Sequence, residues 1–158
     1  MAAIVPATES DVPAIHALVK ALAEYELLSK EVVSTEADIR NSLFGPRPFA
    51  EVILAKSDGR TVGFALFFHN YSTFLGRPGI YLEDLFVLPD FRGQGIGRAL
   101  LAALARLAVE RGCGRLEWSV LGWNEPAIGF YQRLGATVMD EWRICRLTGE
   151  ALVKVAGS

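Results

Sequence analysis

Cysteine is scarce in this chain. Only Cys113 and Cys145 occur, with no C-x-x-C pair and no Cys/His cluster, which leaves no pattern for a structural zinc site. Histidine is equally sparse. His16 and His69 are far apart in sequence and form no ligand spacing, so no metal is expected. Positive charge is not in excess either: 16 Lys and Arg face 18 Asp and Glu, giving a formal net charge of -2 and a pI of about 5.7. A nucleic-acid binder usually shows a basic face, so no nucleic-acid partner is expected. The N-terminal MAAIVPATESD lacks a basic region followed by an apolar stretch, so no signal peptide is expected. The most apolar stretch, residues 61–75, is interrupted by Gly63, His69 and Asn70 and makes a poor membrane span. Repeats, low-complexity tracts and linkers are missing. A soluble, reduced, cytoplasmic protein remains.

What is present is apolar mass: 51% of 158 residues are hydrophobic and 22% charged, enough for one domain over residues 1–158 with its own core. Residues 2–6 read as a first strand. Val12, Ile15, Val19 and Leu22 recur at helical spacing, so residues 11–28 read as an amphipathic helix, with Thr8, Ser10 and Asp11 offering cap chemistry. A second helix starts near Ser34 and Thr35 and runs to about Leu43, ended by Gly45, Pro46 and Pro48. Residues 51–56 and 61–69 are β-rich and flank Asp58-Gly59, a hairpin signal. Residues 71–79 read as a loop, 80–88 as a strand, 96–111 as a strong helix closed by Gly112, and 115–121 as a strand. Residues 126–134 form a short helix capped by Asn124 and closed by Gly135, and residues 138–147 a last strand. The order β-α-α-β-β-β-α-β-α-β predicts an α/β fold, a mixed sheet flanked by helices.

The informative stretch is Arg92-Gly93-Gln94-Gly95-Ile96-Gly97, between a strand and a helix. Alternate glycines let the backbone turn tightly and approach a ligand without Cβ interference. The first N–H groups of the next helix have no internal partners and lie at the positive end of its dipole. Such a turn suits a phosphate or pyrophosphate, and Arg92 and Arg98 add positive charge. From Gly93 the sixth position is Arg98, so the dinucleotide fingerprint G-x-G-x-x-G fails, and no Gly-Lys-Ser/Thr follows for a P-loop.

The pattern R-x-x-G-x-G over Arg92 to Gly97 resembles the acetyl-CoA motif of the GNAT acetyltransferase superfamily. Asn124-Glu125-Pro126, Phe130-Tyr131 and Leu134-Gly135-Ala136 resemble the second half of a GNAT site. Tyr81-Leu82-Glu83-Asp84, the glycine turn and Trp123-Asn124-Glu125-Pro126 together look like the spermidine/spermine acetyltransferase group, which includes thialysine acetyltransferases. Tyr25-Glu26 and Trp142-Arg143 also fit, while Phe74 stands where that group has tryptophan. The resemblance implies a mostly antiparallel GNAT sheet, acetyl-CoA as co-substrate and a homodimer. It further implies direct attack by an amine without an acetyl-enzyme, Tyr131 as the general acid for the departing thiolate, and Asn124 as a cofactor-orienting side chain. Tyr131 also fits a core aromatic on a short helix.

A primary amine with a pKa around 10.4 is nearly all charged at pH 7, and making it neutral costs roughly 4–5 kcal/mol. The site therefore needs a proton acceptor. Glu83 is the candidate, on the strand before the glycine turn, with Asp84 in support. On a regular strand these neighbours face opposite sides, and a bulge would bring both to bear. The alternative is a solvated acidic face or an ion-pair partner. The peptide groups of Leu85, Phe86 and Val87 are candidates to bond the pantetheine arm as a neighbouring strand would. Tyr25 and Glu26 are candidates for a second ammonium group, against a plain solvent face. Glu117 and Asp140 are further cation contacts, and Trp142 is either a channel wall or core. The acceptor expected is a small cationic amine: a polyamine, a diamine or a thialysine-like compound. An acetyltransferase for a protein N-terminus or lysine, and a non-catalytic acyl-CoA-binding module, are the alternatives.

Overall fold

The hairpin signal is realised in the computed structural model, which describes residues 2–158. Asp58 and Gly59 both take positive φ, 50° and 77°, the backbone a two-residue hairpin turn needs. They join β2 (Glu51–Ser57) to β3 (Arg60–Ser72). With β1 (Ala3–Pro6), β4 (Arg77–Val87) and β5 (Leu116–Trp118) these strands form one sheet in sequence order. Every neighbouring pair is antiparallel except β4–β5. This is the mixed, mostly antiparallel sheet the sequence predicts.

The expected loop over residues 71–79 is shorter than its composition suggests. Pairing continues through Asn70↔Gly79, Tyr71↔Pro78 and Ser72↔Arg77. Pro78 and Gly79 look like turn residues, but a Cβ at Gly79 would collide with the Asn70 side chain and crowd the Arg115 backbone. That glycine serves strand packing rather than a turn.

Helices α1 (Val12–Tyr25) and α2 (Glu36–Phe44) cover one face of the sheet. Ile15 and Leu18 of α1 and Leu43 of α2 pack with Val52, Leu54, Phe64 and Phe86. α2 begins with a reciprocal cap: Asp38 N–H donates to Thr35 Oγ1 and Thr35 N–H to Asp38 Oδ2. α1 stops three residues short of the expected Leu28. Leu27 takes φ 61°, and Leu28 N–H donates to Ala23 O at 2.8 Å, closing the helix with a leucine where glycine is usual. This early stop sets Tyr25 and Glu26 at the helix terminus.

α3 (Ile96–Glu110) covers the opposite face. Leu100 and Leu104 are fully buried. A Cβ on Gly63 would stand 2.9 Å from Phe86 O, so the close approach of β3 and β4 at this point depends on that glycine. Gly112 takes φ 70° and Cys113 N–H returns to Ala108 O, which closes α3 as predicted. β5 is shorter than the expected 115–121 because β4 offers it only Ile80, Tyr81 and Leu82.

From Val120 the chain forms a second unit. It holds α4 (Glu125–Arg133) and α5 (Gly149–Ala156). The strand expected over residues 138–147 is absent, and those residues carry no regular structure. A strand needs an edge to pair with, and among the described residues no strand pairs with the segment. α5 was not anticipated, so the order ends α-α rather than α-β. Every residue from Thr137 to Ser158 is exposed.

Candidate active site

The distinctive feature of β4 is a one-residue irregularity. Phe67 pairs with Leu82 and Leu66 with Asp84, so Glu83 has no partner across the ladder. This bulge resets the alternation. Leu82 lies on the α3 face with Phe67, whereas Asp84 lies with Leu66, on the face that carries Phe64 and Phe86 under α1. Glu83 is exposed.

The pairing of β4 with β5 ends at Leu82. Beyond it β4 keeps only β3 as a neighbour. Leu88 N–H donates to Val62 O, which fixes the phase of the ladder. By the antiparallel alternation, Phe86 turns its peptide groups toward β3, while Leu85 and Val87 turn theirs to the free edge.

Three carboxyl groups meet at this open half. Burial raises Asp84 from 3.8 to about 6, and the charges of Glu83 and Glu26 push the same way. Burial also raises Glu26, followed by the charge of Glu83. The early end of α1 thus brings Glu26 within electrostatic reach of both β4 carboxyls. Tyr25 packs its ring against Phe86, with centroids 6.3 Å apart.

Five residues separate β4 from the glycine turn. Gly93 and Gly95 take φ 77° and 80°, the left-handed region that side chains disfavour. A Cβ on either would meet nothing within 4 Å, so the space over the turn is open. Gly95 is the residue before α3, and it supplies no side-chain cap to the first N–H groups. An open, glycine-lined cradle ending in uncapped helical N–H groups fits the pyrophosphate of a coenzyme. Gln94 and Arg98 are exposed beside it, Gly97 is half-buried, and Ile96 is buried, anchoring the turn to the core.

Arg92 is differently placed from the phosphate-facing cation its position in the motif suggests. Its Nε–H donates to Val87 O at 2.9 Å. Its guanidinium carbon lies 4.9 Å from the Tyr25 ring centroid and 5.1 Å from that of Phe86. The local sequence signals cap and turn chemistry; nothing in it signals this engagement.

Glu117 of β5 accepts a hydrogen bond from Asn70 Nδ2 at 3.2 Å, and it is paired with Tyr81 across the sheet. The Tyr81 hydroxyl bonds Ser119 Oγ at 2.7 Å. In the second unit, Asn124 is buried and its side-chain oxygen accepts from Ala127 N–H, so it caps α4 as expected. Tyr131 lies on α4 with its ring beside Phe130. Asp140 and Trp142 stand exposed in the irregular segment. Among the described residues, no group of three or more His, Cys, Asp and Glu is placed to hold a metal.

The family model for the acetyltransferase (GNAT) family matches residues 15–136. A thialysine N-epsilon-acetyltransferase of Bos taurus is 40% identical, over 96% of this chain and 95% of its own length. An L-ornithine N5-acetyltransferase of Arabidopsis thaliana is 36% identical, over 92% of this chain and 84% of its own. Among solved structures, an integron cassette protein from the mobile metagenome of V. cholerae superposes with a TM-score of 0.83. It shares 26% identity over 99% of this chain and 98% of that one.

Proposed function

The chain belongs to the GNAT acetyltransferase family and is an acetyl-CoA-dependent N-acetyltransferase; from that premise we propose that its acceptor is a primary amine of a small cationic compound, a polyamine, a diamine or a thialysine- or ornithine-like amino acid. The observation that carries this reading is the gathering of Glu26, Glu83 and Asp84 at the open half of β4. A neutral acceptor gives no reason to hold three mutually repelling carboxyls together. A compound with two ammonium groups relieves the repulsion at one end and presents the other for reaction. Relatives named for thialysine and ornithine act on compounds of that kind.

Bound acetyl-CoA supplies an activated thioester, which the neutral amine attacks directly. The turn from Gly93 to Gly97, with the first N–H groups of α3, holds the pyrophosphate, with Gln94 and Arg98 beside it. The peptide groups of Leu85 and the N–H of Val87 pair with the pantetheine arm, the Val87 carbonyl being engaged by Arg92. Phe86 contributes its ring rather than its inward-turned peptide. Glu83, exposed at the bulge, takes the proton of the incoming ammonium, directly or through a water. Asp84 and Glu26 hold positive charge close by, with Tyr25 packing against the carbon chain. Tyr131 protonates the departing thiolate. Asn124 acts through its cap on α4, and Glu117 is a further contact for the acceptor's positive charge.

The fully exposed run from Thr137 to Ser158 carries Val138, Met139, Trp142, Ile144, Leu147, Leu152, Val153 and Val155. Stable monomers rarely leave such a contiguous apolar run in water, which supports a homodimer whose second copy covers it. No helix among the described residues is long and apolar enough to cross a membrane; we assign the enzyme to the cytoplasm, acting without a nucleic-acid or membrane partner.

The test is thiol release from acetyl-CoA with spermidine, spermine, putrescine, thialysine, ornithine, lysine and an N-terminal peptide. Turnover with one of the small diamines or polyamines at a kcat/KM at least tenfold above the peptide is the expected result. Preference for the peptide would overturn the acceptor assignment and leave the acetyltransferase in place.

A further inference from the structure

The geometry points to Arg92 as a positioning residue of the acceptor site rather than a phosphate ligand: it ties the end of α1, with Tyr25 and Glu26, to the open half of β4. The inference rests on the acceptor reading above and deepens it.

Two contacts carry it. The Nε–H of Arg92 donates to Val87 O, one of the peptide groups that the ladder turns to the free edge. Arg92 therefore ends the pairable edge at Val87, leaving the peptide groups of Leu85 and the N–H of Val87 available. The guanidinium also rests in the corner formed by the Tyr25 and Phe86 rings, which are tilted 59° to each other. Phe86 belongs to the buried core, only 5% exposed, whereas Tyr25 is 41% exposed. The arginine thus links an exposed helix end to a buried strand. A planar guanidinium stacks on rings and donates in its plane simultaneously; a lysine ammonium on a flexible stem does not reproduce that geometry. A cation engaged in this way is poorly disposed to move onto a phosphate, and the turn's own N–H groups already face the open space.

The role predicts which constant changes. Loosening the end of α1 moves Glu26 relative to Glu83 and Asp84, so the amine KM rises while the coenzyme's phosphates are still held by the turn. Arg92→Lys should raise the amine KM about three- to tenfold, the loss expected for a stacked cation, with the dissociation constant for CoA unchanged in calorimetry. The defect should be equal with acetyl-CoA and with S-acetylpantetheine, which has the thioester but no phosphate. A phosphate ligand predicts the reverse: weaker CoA binding, and a defect that vanishes with S-acetylpantetheine. Either of those results overturns the assignment.

Tyr25→Leu removes one ring of the corner, and the double variant with Arg92→Lys should be no worse than the more impaired single variant. Independent, multiplying effects would count against the linkage. Should the wild type acetylate no small amine, the acceptor reading fails by itself. CoA calorimetry on Arg92→Lys then still decides the arginine's part, unchanged affinity supporting it and a tenfold loss overturning it.

Discussion

The first 119 residues and the last 39 solve different problems. Through Ser119 the chain builds a five-stranded sheet with helices on both faces and buries Val12, Ile15, Leu54, Phe64, Leu100 and Leu104 completely. From Val120 on, Asn124 is the sole described residue classed as buried, and from Thr137 none is even half-buried. Yet the second unit carries Tyr131, the proposed acid, while the first carries the glycine turn and the carboxyl group. The two should then respond differently to perturbation: the first through stability and binding, the second through turnover and assembly.

The sharpest separation is expected from Tyr131→Phe. Loss of a general acid lowers kcat by roughly 10²–10⁴, with CoA affinity and melting temperature unchanged. Thiol release and calorimetry on the same sample check it, and a fully active variant would remove Tyr131 from the chemistry.

Next comes Asp84→Asn. Folding raises the Asp84 carboxyl from 3.8 to about 6, so the folded chain holds that proton more tightly than the unfolded chain. The resulting stability is complete below pH 4 and is lost as pH rises through 6. Removing the charge should therefore stabilise the variant at pH 7.5 by up to about 3 kcal/mol, roughly two pKa units at about 1.36 kcal/mol each, and by almost nothing at pH 4. In the wild type, kcat/KM for the amine should fall as pH drops below 6. Equal melting shifts at both pH values would show that the charge is not the cause.

A smaller effect is expected from Trp142→Ser with Ile144→Ser. If a second copy covers this segment, removing two apolar anchors costs about 2 kcal/mol or more at the interface, some 30-fold in the dimer constant. Analytical ultracentrifugation should show mass moving from the dimer toward the 17.2 kDa chain. A wild type that is monomeric at high concentration would end the idea. Smallest is Gly95→Val. A β-branched residue forced to φ 80° carries about 1–3 kcal/mol of strain, so CoA should bind about tenfold more weakly. Unchanged affinity would mean that the turn does not hold the coenzyme.

Much of the sheet was legible because its signals are local. Asp58-Gly59 favours a hairpin, and Ser34 and Thr35 favour a helix start. The glycine turn was legible for the same reason: glycines at 93 and 95 permit the positive φ found there. Other features depend on partners distant in sequence. Leu27 ends α1 in a conformation its side chain disfavours, so composition carried the helix to Leu28. Pro78 and Gly79 resemble a turn until Asn70 is placed opposite them. Residues 138–147 are rich in apolar side chains, the β-branched Val138 and Ile144 among them, but composition cannot supply a neighbouring edge. In the site, Glu83 and Asp84 were visible as an acidic interruption of an apolar strand. The repulsion from Glu26 and the stacking of Arg92 on Tyr25 and Phe86 required three elements to be assembled first.

The bulge at Glu83 can also be seen as a matter of count. With Glu83 removed, Leu82 and Asp84 would be consecutive, and the strand would alternate without a break from Ile80 to Val87. Every flanking side chain would keep its present face. Each half of β4 is therefore an ordinary strand, and the sheet is one residue longer than its ladder requires. That surplus residue marks the point where β4 parts from β5, and it carries the carboxylate proposed to receive the proton. The proposed reactive position is thus an insertion into a strand that is regular on either side of it.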